Sequence, residues 1–343
     1  MMDMPTAIAR VIEAEDLNQQ EMTEVMNLIM TGEATPAQIG GFLVGLRIKG
    51  ETVQEITGAA TVMRQLATPV SVDIEGLVDT CGTGGSGSNK FNVSTASAFV
   101  AAAVGVRVAK HGNRGASSKS GSADLLEASG ANIMLEPAQV ARCIDTVGVG
   151  FLFALSHHSA MKHAIGARRE MIVRTIFNLL GPLTNPAGAK RQLLGVYDKR
   201  WVRPIAEVLQ SLGSKHVMVV HSDDGLDEIS IAAPTTVAEL KDGEIREYQV
   251  EPEQFGCTRQ SIDSLRVENA EESLVLVKQA LDGSNEAAMD FVTLNAGAAI
   301  YVSGKANSLE NGMEMARDAI GSGLAMEKMK DFADFTQQVS DNG

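Results

Sequence analysis

The sequence contains little cysteine, and its cysteines are scattered. Cys81, Cys143 and Cys257 lie far apart and form no Cys-x-x-Cys pair. A disulfide framework needs several cysteines in an oxidising compartment, and a structural zinc site needs paired cysteine or histidine ligands. The sequence supports neither, so we expect three buried thiols in a reducing cytoplasm.

Positive charge and long apolar runs are also scarce. The 29 lysines and arginines are outnumbered by 43 aspartates and glutamates, which gives a net charge of −14. Nucleic acids and anionic membrane surfaces both favour a basic partner, so any anionic ligand must be met by a local cluster of cations. No apolar run reaches the roughly 18 residues of a membrane helix. The N-terminus lacks a basic region followed by an apolar core, so secretion is not expected.

Helical patterns fill residues 1–68. Asn18-x-x-Glu21 and Thr35-Pro36-Ala37-Gln38 are capping-box patterns that precede apolar residues at helical spacing. A glycine inside a helix costs about 1 kcal/mol, which a close helix contact would offset. Three glycines lie in the second of these helices, at Gly40, Gly41 and Gly45. A homodimer surface on this segment is one explanation, and helix packing within the chain is the other.

From about residue 75, short apolar runs alternate with helical patterns. The predicted strands are Leu77–Thr80, Val106–Ala109, Val149–Leu155, Leu193–Tyr197 and His216–His221. Helices are predicted near residues 94–104, 121–129, 137–147 and 200–212. This alternation predicts an α/β fold with a mostly parallel central sheet flanked by helices, which binds ligands at the carboxyl ends of its strands. A β-hairpin with Asp242-Gly243 at its turn is expected within residues 236–250.

The stretch VDTCGTGGSGSNKFNVST, residues 78–95, places a glycine-rich loop between a strand and a helix start. Glycines let a ligand approach backbone N–H groups, and a helix start adds unpaired N–H donors. This order is typical of a phosphate or pyrophosphate site. Gly82-x-Gly84-x-x-Gly87 also matches the dinucleotide fingerprint, but that motif requires an acidic residue about 20 positions later. The next strand runs instead into Lys110-His111, which suits phosphate and not a ribose diol.

The second informative stretch is KHGNRGASSKSGSADLLEA, residues 110–128. It combines glycines and serines with three cations and a histidine, namely Lys110, His111, Arg114 and Lys119. Charge, backbone donors and hydroxyls together are what a phosphorylated ligand requires. Because both stretches follow neighbouring strands, we expect them to converge on one crevice. A surface turn without a ligand would explain the first stretch alone, whereas a solvated basic loop would explain the charge of the second stretch but not its small residues.

Further motifs follow in a fixed order: LRIKGETVQEI, the glycine loop, FNVSTASA, KHGNR with SSKSGSADLLEA, HHSAMKHAIGARRE, RTIFNLLGPLTNPA and DDGLDEIS. In this order they resemble the anthranilate phosphoribosyltransferase family over nearly the whole chain. The resemblance implies a helical domain of residues 1–70, joined by a segment near 168–190 to an α/β domain of residues 71–343, usually as a homodimer. It implies transfer of the phosphoribosyl group of 5-phosphoribosyl 1-pyrophosphate to the amine of anthranilate, with two Mg²⁺ ions per active site.

The resemblance also implies roles for individual residues. Contacts with phosphoribosyl pyrophosphate are implied for Gly82, Gly85, Ser86, Lys90, Asn92, Val93, Ser94, Thr95, Lys110, His111, Gly112, Asn113, Arg114, Gly115, Ala116, Ser117, Ser118 and Ser122. Anthranilate contacts are implied for Gly82, Asn113 and Arg168, and metal contacts for Ser94, Asp227 and Glu228. The catalytic residues implied are Lys110, Asn113 and Arg168.

Several of these roles agree with the chemistry of the side chains. Asp227 and Glu228 follow a predicted strand, so their hard oxygen ligands would lie at a strand end. The planar guanidinium of Arg168 could bind a carboxylate through two hydrogen bonds. On the sequence alone, the neighbouring Arg169 could do the same. Solvated or structural roles are expected for Asp223, Asp224, His157 and His158.

The chain departs from the family pattern in its glycine loop. Ser86 stands where aspartate is usual, which removes a carboxylate. Lys90 stands where threonine or an apolar residue is usual, which adds a cation. Altered magnesium dependence is therefore expected.

Two alternatives remain open. A pyrimidine-type nucleoside phosphorylase has a similar architecture and also binds ribose and phosphate, although Arg168, Asn113 and DGLDE favour the anthranilate enzyme. A non-catalytic relative that binds nucleic acid would need a basic surface, which the net charge of −14 opposes. Turnover of anthranilate would separate all three.

Overall fold

The N-terminal part of the protein is a helical bundle. The computed structural model describes residues 2–115 and 118–341. Four helices form within residues 2–67: α1 (Met4–Ile12), α2 (Gln19–Met30), α3 (Pro36–Lys49) and α4 (Val53–Leu66). Both predicted capping boxes are confirmed, since Asn18 pairs with Glu21 and Thr35 with Gln38. A third, between Thr52 and Glu55, begins α4.

Helix α3 packs against α1 through a glycine. A Cβ on Gly45 would lie 2.7 Å from Cγ2 of Val11, so any larger residue would push the two helices apart. A Cβ on Gly40 or Gly41 would have its nearest neighbour at 3.9 Å. Packing within the chain therefore accounts for Gly45, and the homodimer surface stays a prediction.

Seven strands of the described residues form one sheet. They are β1 (Val78–Gly82), β2 (Val108–Gly112), β3 (Val149–Phe153), β4 (Arg191–Gly195), β5 (His216–Ser222), β6 (Thr235–Lys241) and β7 (Glu244–Val250). Their order is β3-β2-β1-β4-β5-β6-β7. The first five strands are parallel, and β6 and β7 add an antiparallel hairpin. Asp242 and Gly243 turn that hairpin at φ 51° and 81°. The expected mostly parallel sheet is confirmed.

Some strand ends differ from the predictions. Strand β2 continues through Lys110 to Gly112, because His111 pairs with Leu152 of β3 and Gly112 with Phe153. The polar character of that segment predicted a loop, so Lys110 belongs to the strand and not to the loop after it. Strand β3 ends at Phe153, where a short helix begins.

Helices cover both faces of the sheet. They are α5 (Val93–Ala103), α6 (Ser122–Ala128), α7 (Pro137–Val147), α8 (Ala154–His157), α9 (Lys162–Met171), α10 (Phe177–Leu180), α11 (Val202–Ser211), α12 (Ala270–Leu281), α13 (Glu286–Ser303), α14 (Leu309–Gly321) and α15 (Leu324–Asp341). Because strand side chains alternate between faces, Leu193 and Met218 join a core with α5 and α13. Leu194 and Val219 join a second core with α1–α4 and α11.

The chain from α9 to β4 packs into the second core. Ala164, Ile176 and Leu180 pack in it with the four N-terminal helices. This packing agrees with a helical domain that receives a segment near residues 168–190, although the boundary at residue 70 stays a prediction. None of the helices in the described part of the chain has the length and apolar character needed to cross a membrane.

Candidate active site

The two polar stretches open into one crevice at the carboxyl ends of β1 and β2. Its volume is about 540 Å³, and both Gly84 and Lys110 line it. The expected convergence of the two loops is confirmed. The other residues with implied roles that line the crevice are Gly82, Gly85, Ser86, Lys90, Asn92, Val93, Ser94, Thr95, His111, Gly112, Asn113, Arg114, Gly115, Ser118, Ser122, Arg168, Asp227 and Glu228. Ala116 and Ser117 lie outside the described residues.

The glycine loop is held by residues that sequence reasoning missed. Gly84 and Gly85 have φ values of 65° and 81°, which glycine adopts without strain. Arg174 donates a hydrogen bond to the carbonyl of Gly85, and its guanidinium lies 4.3 Å from the ring centroid of Tyr197. Thr83 Oγ1 accepts the N–H of Tyr197 at 3.0 Å. The loop is therefore tied to the segment after α9, and the RTIF motif was the only sequence signal for this contact.

Asn92 links the two loops. Its Oδ1 accepts hydrogen bonds from Ser120 Oγ and Ser273 Oγ, each at 2.7 Å, and its Nδ2 donates to the carbonyl of Ser120 at 3.2 Å. Asn92 stands at the N-cap of α5 but makes no side-chain capping bond there. The positive end of the α5 dipole thus faces the crevice without a side-chain cap.

Lys110 is the buried cation below the glycine loop. It is 3% exposed, and its Nζ donates to the carbonyl of Thr80 at 2.5 Å and to Ser94 Oγ at 3.3 Å. Burial lowers the pKa of Lys110. Asp79 on β1, which sequence reasoning also missed, accepts the N–H of His111 at 3.1 Å and the amide of Asn185 at 2.8 Å. An aspartate inside an apolar strand was the available signal.

The acid pair Asp227 and Glu228 lies in the turn after β5, and both residues are buried. Asp227 Oδ2 accepts the N–H of Gly84 at 3.1 Å. A Cβ on Gly82 would lie 2.9 Å from that same oxygen, and one on Gly195 would lie 1.8 Å from the Asp227 carbonyl oxygen. Glycine at the ends of β1 and β4 therefore lets the acid pair approach the loop.

Lys90 lies between the acid pair and the glycine loop. The residues next to it in the sequence did not predict this position. Its Nζ is 2.7 Å from Asp227 Oδ1 and 3.9 Å from Glu228 Oε1. Burial disfavours the ammonium form, but the two carboxylates outweigh burial and raise the pKa of Lys90. Burial likewise opposes ionisation of Asp227, yet Lys90 holds its pKa below the usual value. Burial raises the pKa of Glu228 to about 7.

Two cations of the second stretch are already paired. Arg114 is exposed and bonds to Asp124 at 3.2 Å and to Glu127, both on α6. Lys119 pairs with Glu268 at 3.1 Å. Sequence reasoning identified these two charges but not their carboxylate partners, and the implied contact of Arg114 with phosphoribosyl pyrophosphate stays a prediction.

Arg168 on α9 is half-buried and lines the crevice. Its guanidinium lies 5.1 Å from the ring centroid of Phe177, and burial lowers its pKa. It makes no hydrogen bond or ion pair with any residue that the structure describes. Arg169 is exposed and does not line the crevice, so the structure distinguishes two arginines that the sequence left equivalent.

Asn113 is exposed at the edge of the crevice, where its Oδ1 accepts the N–H of Arg114 at 2.8 Å.

Three histidines are buried at this end of the sheet: His111, which lines the crevice, and His157 and His158, which follow β3. The Nε2 atoms of His111 and His158 lie 3.2 Å apart, and burial lowers their pKa values to about 3 and about 4. Both rings are neutral at pH 7, so neither supplies a charged acid. His157 Nδ1 lies 2.9 Å from the carbonyl of Thr68.

Two further expectations concern the acidic turn after β5 and the cysteines. Asp223 and Asp224 are exposed, in agreement with the expected solvated turn. All three cysteines are free and buried.

Comparison with known proteins identifies the family. Residues 5–67 match the helical bundle domain of a glycosyl transferase family, and residues 75–326 match its a/b domain. Anthranilate phosphoribosyltransferase of Marinomonas sp. (strain MWYL1) is 63% identical over 338 residues, which cover 98% of each chain. The chain belongs to the anthranilate phosphoribosyltransferase family. It therefore transfers the phosphoribosyl group of 5-phosphoribosyl 1-pyrophosphate to the amine of anthranilate, the second step of tryptophan biosynthesis from chorismate.

Solved structures of anthranilate phosphoribosyltransferases have the same fold. The crystal structure of the Thermus thermophilus protein has a TM-score of 0.91 at 42% identity, covering 96% of this chain and 99% of that chain. The Saccharomyces cerevisiae protein in complex with PRPP and Mg has a TM-score of 0.88 at 24% identity, covering 98% of each chain. The expected fold, with a small helical domain before a larger α/β domain, is confirmed.

Proposed function

We propose that the crevice between the two loops is the transferase site and that its residues have the roles implied by the family resemblance. The observation that carries this proposal is that Gly84, Lys110 and Asp227 face one cavity, although they come from three different strand ends. Loop N–H groups and Lys110 would hold the phosphate groups, with Ser118 and Ser122 as hydroxyl donors.

Anthranilate would bind at the other side of the crevice. Arg168 presents a half-buried guanidinium with no polar partner in the described chain, so its fork can take the substrate carboxylate in a bidentate pair. Asn113 and Gly82 would flank the ring. Arg168 belongs to α9 of the segment that packs with the helical domain, whereas the loops belong to the sheet. The two substrates would thus meet between the two parts of the protein.

Magnesium fits the acid pair. The Saccharomyces cerevisiae protein binds Mg with PRPP, and Asp227 and Glu228 offer the hard oxygen ligands that Mg²⁺ prefers. Ser94 would add a hydroxyl from the start of α5. Bound there, the ion would neutralise negative charge on the departing pyrophosphate.

The reaction itself needs little proton chemistry from the protein. The amine of anthranilate attacks the anomeric carbon as pyrophosphate leaves, and positive charge develops on the ribose ring. The attacking amine becomes acidic as the new bond forms, so no strong base is required. The neutral His111 agrees with this, since its pKa is lowered to about 3. Positioning of both substrates and stabilisation of the leaving group by Lys110 and loop N–H groups would supply the rate.

Exposed apolar side chains on the bundle support the proposed homodimer. Ile12 is 66% exposed, Val44 40% and Ile48 81%, on the adjacent helices α1 and α3. A symmetric partner would cover them. Sedimentation at micromolar concentration should give a dimer, and a monomer would contradict this part of the proposal.

A reducing cytoplasm is the proposed compartment, since all three cysteines are free thiols.

The site assignment is tested by the magnesium response of turnover. Loss of anthranilate fluorescence should require both phosphoribosyl pyrophosphate and Mg²⁺. Asp227→Asn should need more Mg²⁺ for half-maximal rate, because it loses a charged ligand, while the equivalent change at exposed Asp223 should not. Equal Mg²⁺ curves for the two variants would contradict the assigned metal site.

A further inference from the structure

A second cavity lies at the edge of the sheet opposite the crevice. Strands β4 and β5 begin there, at Arg191 and His216, and β6 ends there, at Lys241. The cavity has a volume of about 500 Å³, and these three residues line it. Gly195, at the far end of β4, is about 13 Å from Arg191 at the usual rise of a strand. The cavity and the crevice have no lining residue in common, so they are separate sites.

Three basic side chains form a row across the sheet at this edge. Arg191 on β4 is in register with His216 on β5, and His216 is in register with Lys241 on β6. Residues in register on neighbouring strands have side chains on the same face of the sheet, and neighbouring strands are about 4.8 Å apart. The side chains of the row therefore project together into the cavity, with His216 between the two cations.

The contacts of the row fix its side chains and leave donors free. The ring centroids of His216 and Tyr301 lie 4.7 Å apart, and Lys241 Nζ donates to the Tyr301 hydroxyl at 3.0 Å. One amino group of Arg191 donates to a carbonyl at the end of α13 at 2.9 Å. An ammonium has three N–H donors and a guanidinium has five, so Lys241 and Arg191 both keep donors for a ligand.

Carboxylates around the row balance only part of its charge. Glu75 is exposed and pairs with Lys215 at 3.0 Å, and it lies 3.8 Å from the guanidinium of the row. Glu239 lies 2.9 Å from the histidine of the row. Neither carboxylate lines the cavity, and Asp242 is the only one of the described residues that brings a carboxylate into the lining. Three cations, the two of the row and Lys215, face that single negative charge in a protein of net charge −14.

We propose that this cavity binds a small molecule that carries a multiply charged oxyanion, either a phosphate ester or a polycarboxylate. Ammonium and guanidinium groups that converge in this way are the usual partners of such anions. Ser214 also lines the cavity, and its buried Oγ has no hydrogen-bond partner among the described residues. The volume is that of an ordinary metabolite site. The site is independent of the roles proposed for the crevice, because the two share no residue.

Acetylation of lysines in the intact protein, read by mass spectrometry, tests the site. The probes are inorganic phosphate and citrate, each compared with sodium chloride at the same ionic strength, without Mg²⁺ or substrates. A bound anion covers the ammonium groups of Lys215 and Lys241, so acetylation of both should slow by roughly threefold or more. Lys199 is exposed and pairs with Asp223 at 3.0 Å at the other edge of the sheet, and its acetylation should not change. Protection by phosphate alone would identify a phosphorylated ligand, and protection by citrate alone a polycarboxylate.

Two variants of the row control the result. Lys241→Met should raise the anion concentration that half-protects Lys215 by roughly threefold or more, because one exposed cation of the site is lost. Lys241→Arg keeps the charge and should resemble the wild type. The proposal is overturned if neither anion protects Lys215, if Lys199 is protected equally, or if Lys241→Met leaves the protection unchanged. The wild-type comparison of Lys215 with Lys199 decides the matter if Lys241→Met does not fold.

Discussion

Replacement of Arg168 by alanine tests the proposed division of the crevice between its two substrates. The guanidinium lies over the ring of Phe177, has no polar partner among the described residues and is only half-buried. Anthranilate would receive from it a bidentate, charge-assisted pair of hydrogen bonds. Hydrogen bonds to charged groups contribute about 1.5–3 kcal/mol each, and solvent at this half-buried site keeps the total near the upper value. A loss of about 3 kcal/mol corresponds to roughly 100-fold in affinity.

Steady-state kinetics by anthranilate fluorescence provides the assay. Arg168→Ala should raise the KM for anthranilate by roughly 100-fold and leave the KM for phosphoribosyl pyrophosphate within about threefold of wild type. Arg168→Lys keeps the charge but loses the bidentate guanidinium. Its KM for anthranilate should therefore lie between those of the wild type and Arg168→Ala. Loss of the contact with Phe177 should cost no more than about 1 kcal/mol of stability.

The adjacent arginine is the matched control. Arg169→Ala changes the same residue type one position along α9, but Arg169 is exposed and outside the crevice. Its kinetic constants should resemble those of the wild type. The reasoning is refuted if the two alanine variants behave alike, or if Arg168→Ala raises both KM values equally.

Three other outcomes follow from the geometry. Lys110→Ala should raise the KM for phosphoribosyl pyrophosphate by roughly tenfold or more, because its buried ammonium lies below the glycine loop. The KM for anthranilate should stay nearly unchanged. A larger rise in the KM for anthranilate would contradict the assignment of Lys110 to phosphoribosyl pyrophosphate. Gly195→Ala should lower the free energy of unfolding by about 2 kcal/mol or more, because its Cβ would lie 1.8 Å from the Asp227 carbonyl oxygen. Gly166 has open space around it, so Gly166→Ala should not lower that free energy by this amount. Denaturant unfolding of the two variants tests this. Stability should fall as pH drops from 7 to 5, because unfolding frees His111 and His158 to bind protons below pH 6.5, while burial holds their folded pKa values at about 3 and about 4. Each contributes about 2 kcal/mol over this range, so His158→Gln should lose about half of that dependence, and an unchanged pH dependence would show that the rings are not buried neutral.

Local patterns in the sequence predicted most of the fold. The capping boxes at Asn18 and Thr35 and the Asp242-Gly243 turn depend on residues within a few positions of one another. The alternation of strands and helices predicted the parallel sheet for the same reason. Strand β2 was placed too short because Lys110 and His111 are polar, while their pairing with β3 depends on residues about 40 positions away.

The residues of the site were harder to predict where a contact joins distant parts of the chain. Lys90 meets Asp227 across 137 positions, and Arg174 meets Gly85 across 89. No periodicity encodes such contacts. The sequence identified the charge that Lys90 adds but not the carboxylates that receive it. It likewise identified the charge of Arg114 but not the two carboxylates, Asp124 and Glu127, that bond to it.

Hydrogen–deuterium exchange on addition of phosphoribosyl pyrophosphate and Mg²⁺ tests most directly whether two strand-end loops form one substrate site. Backbone N–H groups that bind phosphate exchange more slowly, so exchange should slow in residues 82–95 and in residues 110–115 together. Slower exchange in only one of these segments, or at the opposite ends of the strands, would contradict the account.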